Sequence, residues 1–422
     1  MPHSLRLLHF ADAHIDVANY GRRDPETGLP VRVMDFLRSL DEIVEAAIEE
    51  KVDLVLFAGD AFKDRHPTPT IQREWARRIL RLSKAGIPTV LLVGNHDLSP
   101  SWGRAHTLEL FRVFDVPNIH VVDRLQTLTP ETLGLPLYLI AIPWVHRSAL
   151  MARGLSLTDP RAWQEEIHRL LYRFVEDALA QKPDGVPAVL LAHAMVPGAQ
   201  AGWEKFMSLD FTFTLPGSLV RDPRLHYVAL GHVHKQQDLN PGGHPPVWYA
   251  GSIERVSFDE AKEEKGFLLV EISSEGTRVT PRFFQHLRPF RTFYVRISED
   301  EPDPTARVLE TLGPEENLEG AVVRLVVELP REKEKALDER RVYRHTRAAL
   351  EFHLTKRLQD PQRLRLPPDV PVAQYSPLEL LELYWQSKGR SPEEYAPLQK
   401  LAREIIRQVE GQETEPTQTD EP

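Results

Sequence analysis

Seven residues of metal-ligating type stand just after short apolar runs. Asp12 and His14 follow LRLLHF in the string ADAH, and Asp60 follows VDLVLFAG. Asn95 follows TVLLVG, with His96 and Asp97 beside it. His193 follows AVLLA, and His232 and His234 follow HYVALG in GHVH. In α/β sheets, ligands bind outside the carboxyl ends of the strands. Five strand ends therefore deliver three imidazole-bearing loops, two aspartates and an amide to one edge. Imidazole, carboxylate and amide oxygen together suit a borderline divalent ion such as manganese, zinc or iron. Seven donors exceed one tetrahedral site. They fit two ions that share a bridging carboxylate, about 3.5–4 Å apart. The spacing Asp12-x-His14 lets two side chains leave one strand end for one ion. His232-x-His234 can place one ring on each. Taken singly, GNHD or GHVH is an ordinary turn, since Asn, Asp and Gly are turn formers. It is their joint occurrence, each after an apolar run, that points to chemistry.

The elements that must position these residues are legible as apolar runs. Strands are expected at 5–10, 52–60, 87–97, 118–122, 137–142, 187–192, 226–230, 247–250 and 266–272. Amphipathic helices are expected at 34–50 and 71–85. Continuous apolar runs mean strands buried on both faces, with helices covering a sheet or a pair of sheets. Past HLRPFR, strands at 292–298 and 321–329 and helices at 303–312 and 338–357 form a small α+β domain. A proline-rich joint, LRLPPDVPV at 364–372, precedes two helices. Ser376-Pro377 with Glu379 opens the first, and Ser391-Pro392 with Glu394 the second. Both are capping-box patterns with Pro at the first helical position. The expected domains are 1–285, 286–366 and 373–411, with an acidic tail, 412–422, expected to be disordered.

Composition bounds the rest. The chain has 422 residues, 41% apolar and 27% charged, and no cysteine. Disulfides and thiolate metal sites are excluded. There is no apolar run long enough to span a membrane, and the N-terminus reads as a strand rather than a leader peptide. The formal charge of −10 argues against a general nucleic-acid footprint but leaves room for a local basic patch.

The ordered series ADAH, AGDAF, VGNHD, LAHAM and LGHVH resembles the calcineurin-like metallophosphoesterases. Protein phosphatases of that superfamily carry Asp-Arg-Gly after the Gly-Asp and end the third motif in Glu. This chain has GDAFKDRHPTP and Asp97. The segment YAGSIERVSFDEAKEEKGFLLVEI, 249–272, resembles the one closing the phosphoesterase domain of double-strand-break repair nucleases, and most nearly the SbcD type. The resemblance is carried mainly by 1–272, less by 373–410, and least by 290–366. It implies a two-sheet β-sandwich flanked by helices, a small α+β capping domain and a C-terminal helical hairpin. It implies two divalent ions, foremost Mn2+: one on Asp12, His14 and His234, the other on Asn95, His193 and His232, bridged by Asp60. His96 is expected not to bind metal but to act on the scissile phosphate and the leaving oxygen, with Asp97 orienting it. Lys63 stands where some relatives carry a further histidine, so no auxiliary histidine is carried over.

The function this implies is a metal-dependent DNA nuclease, a 3′ to 5′ exonuclease on duplexes and an endonuclease on single strands. It would work with an SbcC-type ABC ATPase bound through 373–411, in the cytoplasm with the nucleoid and away from membranes. Arg22, Arg65, Arg104, Lys235 and Arg255 are candidate phosphate contacts, with Arg23, Lys63 and Arg147 nearby. A homodimer through 71–85 and 103–115 is expected, with Leu108, Phe111 and Phe114 at helical spacing; packing of these residues on the sheet is the alternative. Two other readings share the motifs. A phosphodiesterase or phosphatase for small substrates would use every ligand but has no need of the later domains. A DNA-binding scaffold would need none of the ligands.

Overall fold

A computed structural model of the chain describes residues 4–98, 104–145, 159–202, 213–359, 375–387 and 392–412. Its strands, in chain order, begin with β1 (Leu5–Phe10), β2 (Leu54–Phe57), β3 (Thr89–Leu92), β4 (Ile119–Val122) and β5 (Gln126–Leu128). They continue with β6 (Tyr138–Ile142), β7 (Ala188–His193), β8 (Tyr227–Gly231), β9 (Gln237–Asp238) and β10 (Val247–Tyr249). Next come β11 (Gly266–Ser273), β12 (Gly276–Phe283), β13 (Phe290–Arg296), β14 (Val322–Pro330) and β15 (Glu351–Gln359). One six-stranded sheet runs β12-β11-β1-β2-β3-β4 and the other β5-β6-β7-β8-β10-β9. Their centres are parallel, β1 to β2 to β3 and β7 to β8. Parallel neighbours put their carboxyl ends at the same sheet edge.

Strand period sorts the apolar residues into three layers. Leu7, Leu54, Leu56, Val90 and Leu92 of the first sheet share one core with Leu139, Val189, Leu191 and Ala229 of the second. The opposite face of the first sheet, with Leu8, Phe10, Val55, Phe57 and Leu91, packs under α1 (Val31–Glu49) and α2 (Pro69–Lys84). The opposite face of the second, with Ile140, Leu190, Val228 and Leu230, packs with Trp163, Ile167, Leu171 and Val175 of the helix Pro160–Gln181. Every position of β2 and β3 is buried, which is why both read as unbroken apolar runs. His9 on β1 reaches across the central core to the Tyr227 hydroxyl at 2.8 Å, a buried polar pair between the sheets.

Three expectations are corrected. The helix foreseen over 338–357 stops at His345, and Glu351–Gln359 is instead β15, paired in the sheet β13-β14-β15. Both edges of β14 are thereby taken, and long-range pairing overrides the local pattern. The helix foreseen over 103–115 is only Glu109–Val113. There, Leu108 and Phe111 are buried in the first-sheet core, whereas Phe114 is 72% exposed. Two of the three residues offered for a dimer thus pack on their own sheet.

The chain divides into two compact units. One unit takes 1–292, 314–324 and 346–353, and the other 293–313, 325–345 and 354–422. In the second unit the expected box forms at Ser376. Its Oγ accepts from Glu379 N–H at 3.3 Å, and the Glu379 carboxylate accepts from Ser376 N–H at 2.7 Å. The helices Pro377–Ser387 and Pro392–Gln412 meet through a stacked Trp385–Tyr395 pair, centroids 5.1 Å apart. Ser391, the joint 364–372 and the tail beyond 412 lie outside the described residues.

Candidate metal centre

The seven expected residues come together where the two sheets present their strand ends. Four of them hold positive φ: Asp12 (49°), His14 (39°), Asp60 (62°) and His232 (101°). Such backbone costs of order 1–3 kcal/mol per residue and persists where its surroundings over-determine it. Here Asp12 N–H donates to Gly59 O at 2.9 Å, and His14 N–H to Asp60 O at 3.2 Å. His232 N–H donates to both Asp12 carboxylate oxygens at 3.0 Å, tying the sheets together. Glycine at two positions lets the loops close: a Cβ on Gly94 would lie 2.1 Å from Asp60 Oδ1, and one on Gly59 2.4 Å from His193 Nδ1.

The hydrogen bonds fix which ring atoms face inward. His193 Nδ1 lies 2.7 Å from Ala58 O, and a carbonyl only accepts, so Nδ1 carries the proton. In the neutral ring Nε2 then presents a lone pair to Asn95 Oδ1 at 2.9 Å and Asp60 Oδ2 at 3.4 Å. His234 Nδ1 donates to Glu260 Oε1 at 2.9 Å, so its Nε2 presents a lone pair 3.2 Å from His14 Nε2. His232 Nδ1 faces the same Asn95 oxygen at 3.0 Å. The inward nitrogens of these rings thus face one another and the Asn95 oxygen, an arrangement that a cation between them would satisfy. Ligand atoms of Asp12, His14 and His234 lie within 4.8 Å of one another, as do those of Asp12, Asp60 and His193. The donor set fits divalent cations.

Electrostatics make the same demand. Burial pushes the Asp12 carboxyl upward, and nearby Asp60 adds to the rise. Burial also acts on Asp60, but His193, His96 and His14 outweigh it and hold that carboxyl well below the usual range. Burial lowers the His193 ring, yet Asp60 and Asp12 lift it to about 9. Burial, with His193, takes the His232 ring down to about 3, and burial holds His14 well below its ordinary value. His14 and His232 are thereby neutral, with lone pairs to offer, whereas the carboxylates hold His193 protonated, a charge that a bound cation would replace.

His96 sits beside this cluster rather than in it. Its backbone N–H donates to Asp60 Oδ1 at 2.8 Å, and its ring crosses that of His14 edge-on, centroids 5.1 Å apart. The expected role of Asp97 is corrected. Its oxygens accept from the N–H groups of Asp60 (2.9 Å), Ala61 (2.9 Å) and Gly94 (3.0 Å), so they are committed to backbone. The group that orients the His96 ring is the Lys63 carbonyl, 2.8 Å from Nδ1. That proton placement leaves Nε2 as the atom able to take one up.

The basic candidates divide. Lys63 and Arg65 line a groove of about 550 Å3 with Asp16, Val17, Asn19, Asp64 and His66. Arg22 and Arg104 are exposed. Lys235 bonds Gln200 Oε1. Arg255 is corrected as a phosphate contact: Nε and Nη2 donate to Glu263 O and Nη1 to Arg288 O. Arg147 lies outside the described residues. Sequence reading missed Glu260 on His234 and Trp144, whose ring lies 5.0 Å from that of His232. No local spacing marks either one.

Comparison with known proteins agrees with this geometry. Residues 5–236 match the family model described as calcineurin-like phosphoesterase. The chain is 30% identical over 335 residues to the DNA double-strand break repair protein Mre11 of Haloferax volcanii, covering 78% of this chain and 62% of that one. It is 27% identical over 285 residues to the protein of the same name from Methanosarcina acetivorans, covering 67% and 39%. It is 24% identical over 276 residues to the SbcD component of the nuclease SbcCD of Escherichia coli K12, covering 64% and 66%. The chain thus spans less than two thirds of the length of these relatives. With the match running over more than half of the chain, and every ligand type standing at a strand end within it, the chain belongs to the calcineurin-like phosphoesterase family.

Proposed function

We propose that the chain is a metal-dependent DNA nuclease of double-strand-break repair. The reading rests on one observation above all: ligand atoms of Asp12, His14, Asp60, His193 and His234 converge in two overlapping groups, Asn95 Oδ1 lies against His193 and His232, and an oriented imidazole, His96, stands next to them. The names of the relatives favour DNA over small phosphodiesters. Asp12, His14 and His234 would hold one divalent ion, and Asn95, His193 and His232 the other. Asp60 reaches toward both groups, 3.8 Å from His14 Nε2 and 3.4 Å from His193 Nε2, and would serve both. Manganese suits this mixed oxygen and imidazole set. Bound there, the ions supply Lewis acidity and a water acidic near neutrality. The protein's own part is placement. Asp97 holds the Asp60 and Asn95 loops together through their amides. Lys63 O keeps the His96 proton on Nδ1, so a second proton carried on Nε2 is the one passed to the leaving oxygen. Lys63, Arg65 and Arg104 hold neighbouring phosphates.

We further propose 3′ to 5′ cleavage of duplex ends, endonucleolytic cleavage of single strands, a homodimer, and docking of an ABC ATPase on the helices within 373–411. Leu398, Leu401 and Ile405 of the second helix are 40%, 54% and 51% exposed, an apolar row suited to a partner helix. No described helix is long and apolar enough to cross a membrane. We place the protein in the cytoplasm, with its DNA substrate.

The test uses linear duplex labelled at either end, with Mn2+ and then with EDTA. Metal-dependent release of nucleotides from the 3′ end supports the reading. Hydrolysis of a small chromogenic phosphodiester, with DNA left intact, overturns it.

A further inference from the structure

The segment 249–272 does more than lead from the second sheet back to the first. Between β10 and β11 it carries two buried ionic side chains, Glu260 and Lys265, exposed by only 8% and 1%. Such groups are almost never buried without a partner. Here the partners converge on one residue. Glu260 Oε1 accepts from His234 Nδ1 at 2.9 Å. Lys265 Nζ donates to the His234 carbonyl at 2.9 Å. The two clasp each other, Nζ to Oε2, at 2.8 Å.

Each is otherwise satisfied. Besides Lys265, Glu260 Oε2 also accepts from Val256 N–H at 3.1 Å. The third N–H of Lys265 goes to Glu263 Oε2 at 2.7 Å. The carboxylate therefore cannot turn away from the ring without abandoning two further bonds.

We propose that Glu260 and Lys265 are positioning residues that set His234 for the ion it shares with Asp12 and His14, gripping the ring at Nδ1 and the main chain at O. The inference rests on the metal reading of this centre. A carboxylate on Nδ1 commits the ring proton there, makes Nε2 the ligating atom and raises its basicity. The Lys265 grip, together with the Ser252 N–H on the same carbonyl at 3.0 Å, fixes the height of the His234 backbone beside His232, whose φ is 101°. His193 is set in the same way by the Ala58 carbonyl, so each triad has one ring locked from behind. The difference is that the lock on His193 is main chain, whereas that on His234 is a pair of replaceable side chains.

The experiment measures metal binding and ring protonation in the full-length protein, not cleavage. In the metal-free protein, long-range proton–nitrogen spectra of the histidine rings are expected to place the His234 proton on Nδ1. A proton on Nε2 overturns the proposal, whatever the variants do. Titration calorimetry with Mn2+ is then run on Glu260→Ala, Glu260→Gln and Lys265→Met; the last is expected to weaken the same single event as Glu260→Ala, and unchanged affinity there removes Lys265 from the proposal. In Glu260→Ala, one of two binding events is expected to weaken about 10–100-fold, the usual effect of removing such a partner. The other should move by less than about threefold. Glu260→Gln, which keeps an oxygen for Nδ1–H, is expected to recover most of the loss. Wild-type affinity at both sites in the alanine variant overturns the proposal. So does equal weakening of both sites in the alanine and glutamine variants, the mark of a merely structural role. Failure to cut DNA would sink the nuclease reading and leave these results standing.

Discussion

The carboxylate of Asp97 accepts the backbone N–H of Asp60 at 2.9 Å, although 37 residues separate them. The same side chain takes the Gly94 amide at 3.0 Å. One buried group thus pins the loop bearing Asp60 to the loop bearing Asn95. Asp97→Ala leaves several buried amides without an acceptor, each costing about 1–3 kcal/mol. The variant is expected to lose roughly 3 kcal/mol of stability in denaturant unfolding and to bind Mn2+ more weakly at both sites. Wild-type stability and metal content would refute this role.

Asp60→Ala is expected to remove both ions. Asp60 Oδ2 lies 3.4 Å from His193 Nε2 and 3.8 Å from His14 Nε2, so it is the donor common to both ring sets. Elemental analysis of the purified variant should find no stoichiometric metal, and cleavage should be absent. Retention of two ions per chain would show that another carboxylate bridges.

His96→Ala is expected to keep both ions. The contact of His96 with Asp60 is through its backbone N–H, at 2.8 Å, which alanine retains. Turnover should fall by about 10²–10⁴-fold, the usual share of a positioned acid or base. Near-normal turnover with full metal occupancy would remove His96 from the chemistry.

Asp123 supplies a pH test away from the centre. Burial acts to raise its pKa, but hydrogen bonds with His106 and Arg112 outweigh it and hold the carboxyl well below its usual range. A depressed folded pKa gives stability that is present above the unfolded value, about 3.9, and lost as pH falls through the folded value. Asp123→Asn should therefore be about 1 kcal/mol less stable than wild type at pH 7. The gap should narrow as pH falls below about 4. A gap that is constant with pH would mean the loss is packing rather than charge.

Deleting 373–422 should leave the sheets and the proposed metal sites intact, because no ligand-type residue of the centre lies beyond His234. Co-purification with the proposed ABC ATPase partner should be lost. Assembly at undiminished affinity would move the docking site elsewhere.

Nine of the twelve strands of the two large sheets, and the ligand-type residues at their ends, are legible in residue order alone; β5, β9 and β12 are not. The reason is local. A parallel strand buried on both faces must be an apolar run, and its end must be a polar turn, so TVLLVGNHD announces both at once. What depends on distant residues was not legible. Whether Glu351–Gln359 is helix or strand was set by β14, which offers an edge to pair. Whether Asp97 faces the His96 ring or the backbone was set by the amides of Asp60, Ala61 and Gly94, which meet only when β2 and β3 pair. Arg255 was drawn to main-chain carbonyls, and Glu260 and Lys265 to His234, because buried charges must find partners wherever the fold supplies them. Such choices belong to tertiary packing, since each partner lies beyond the reach of any local pattern.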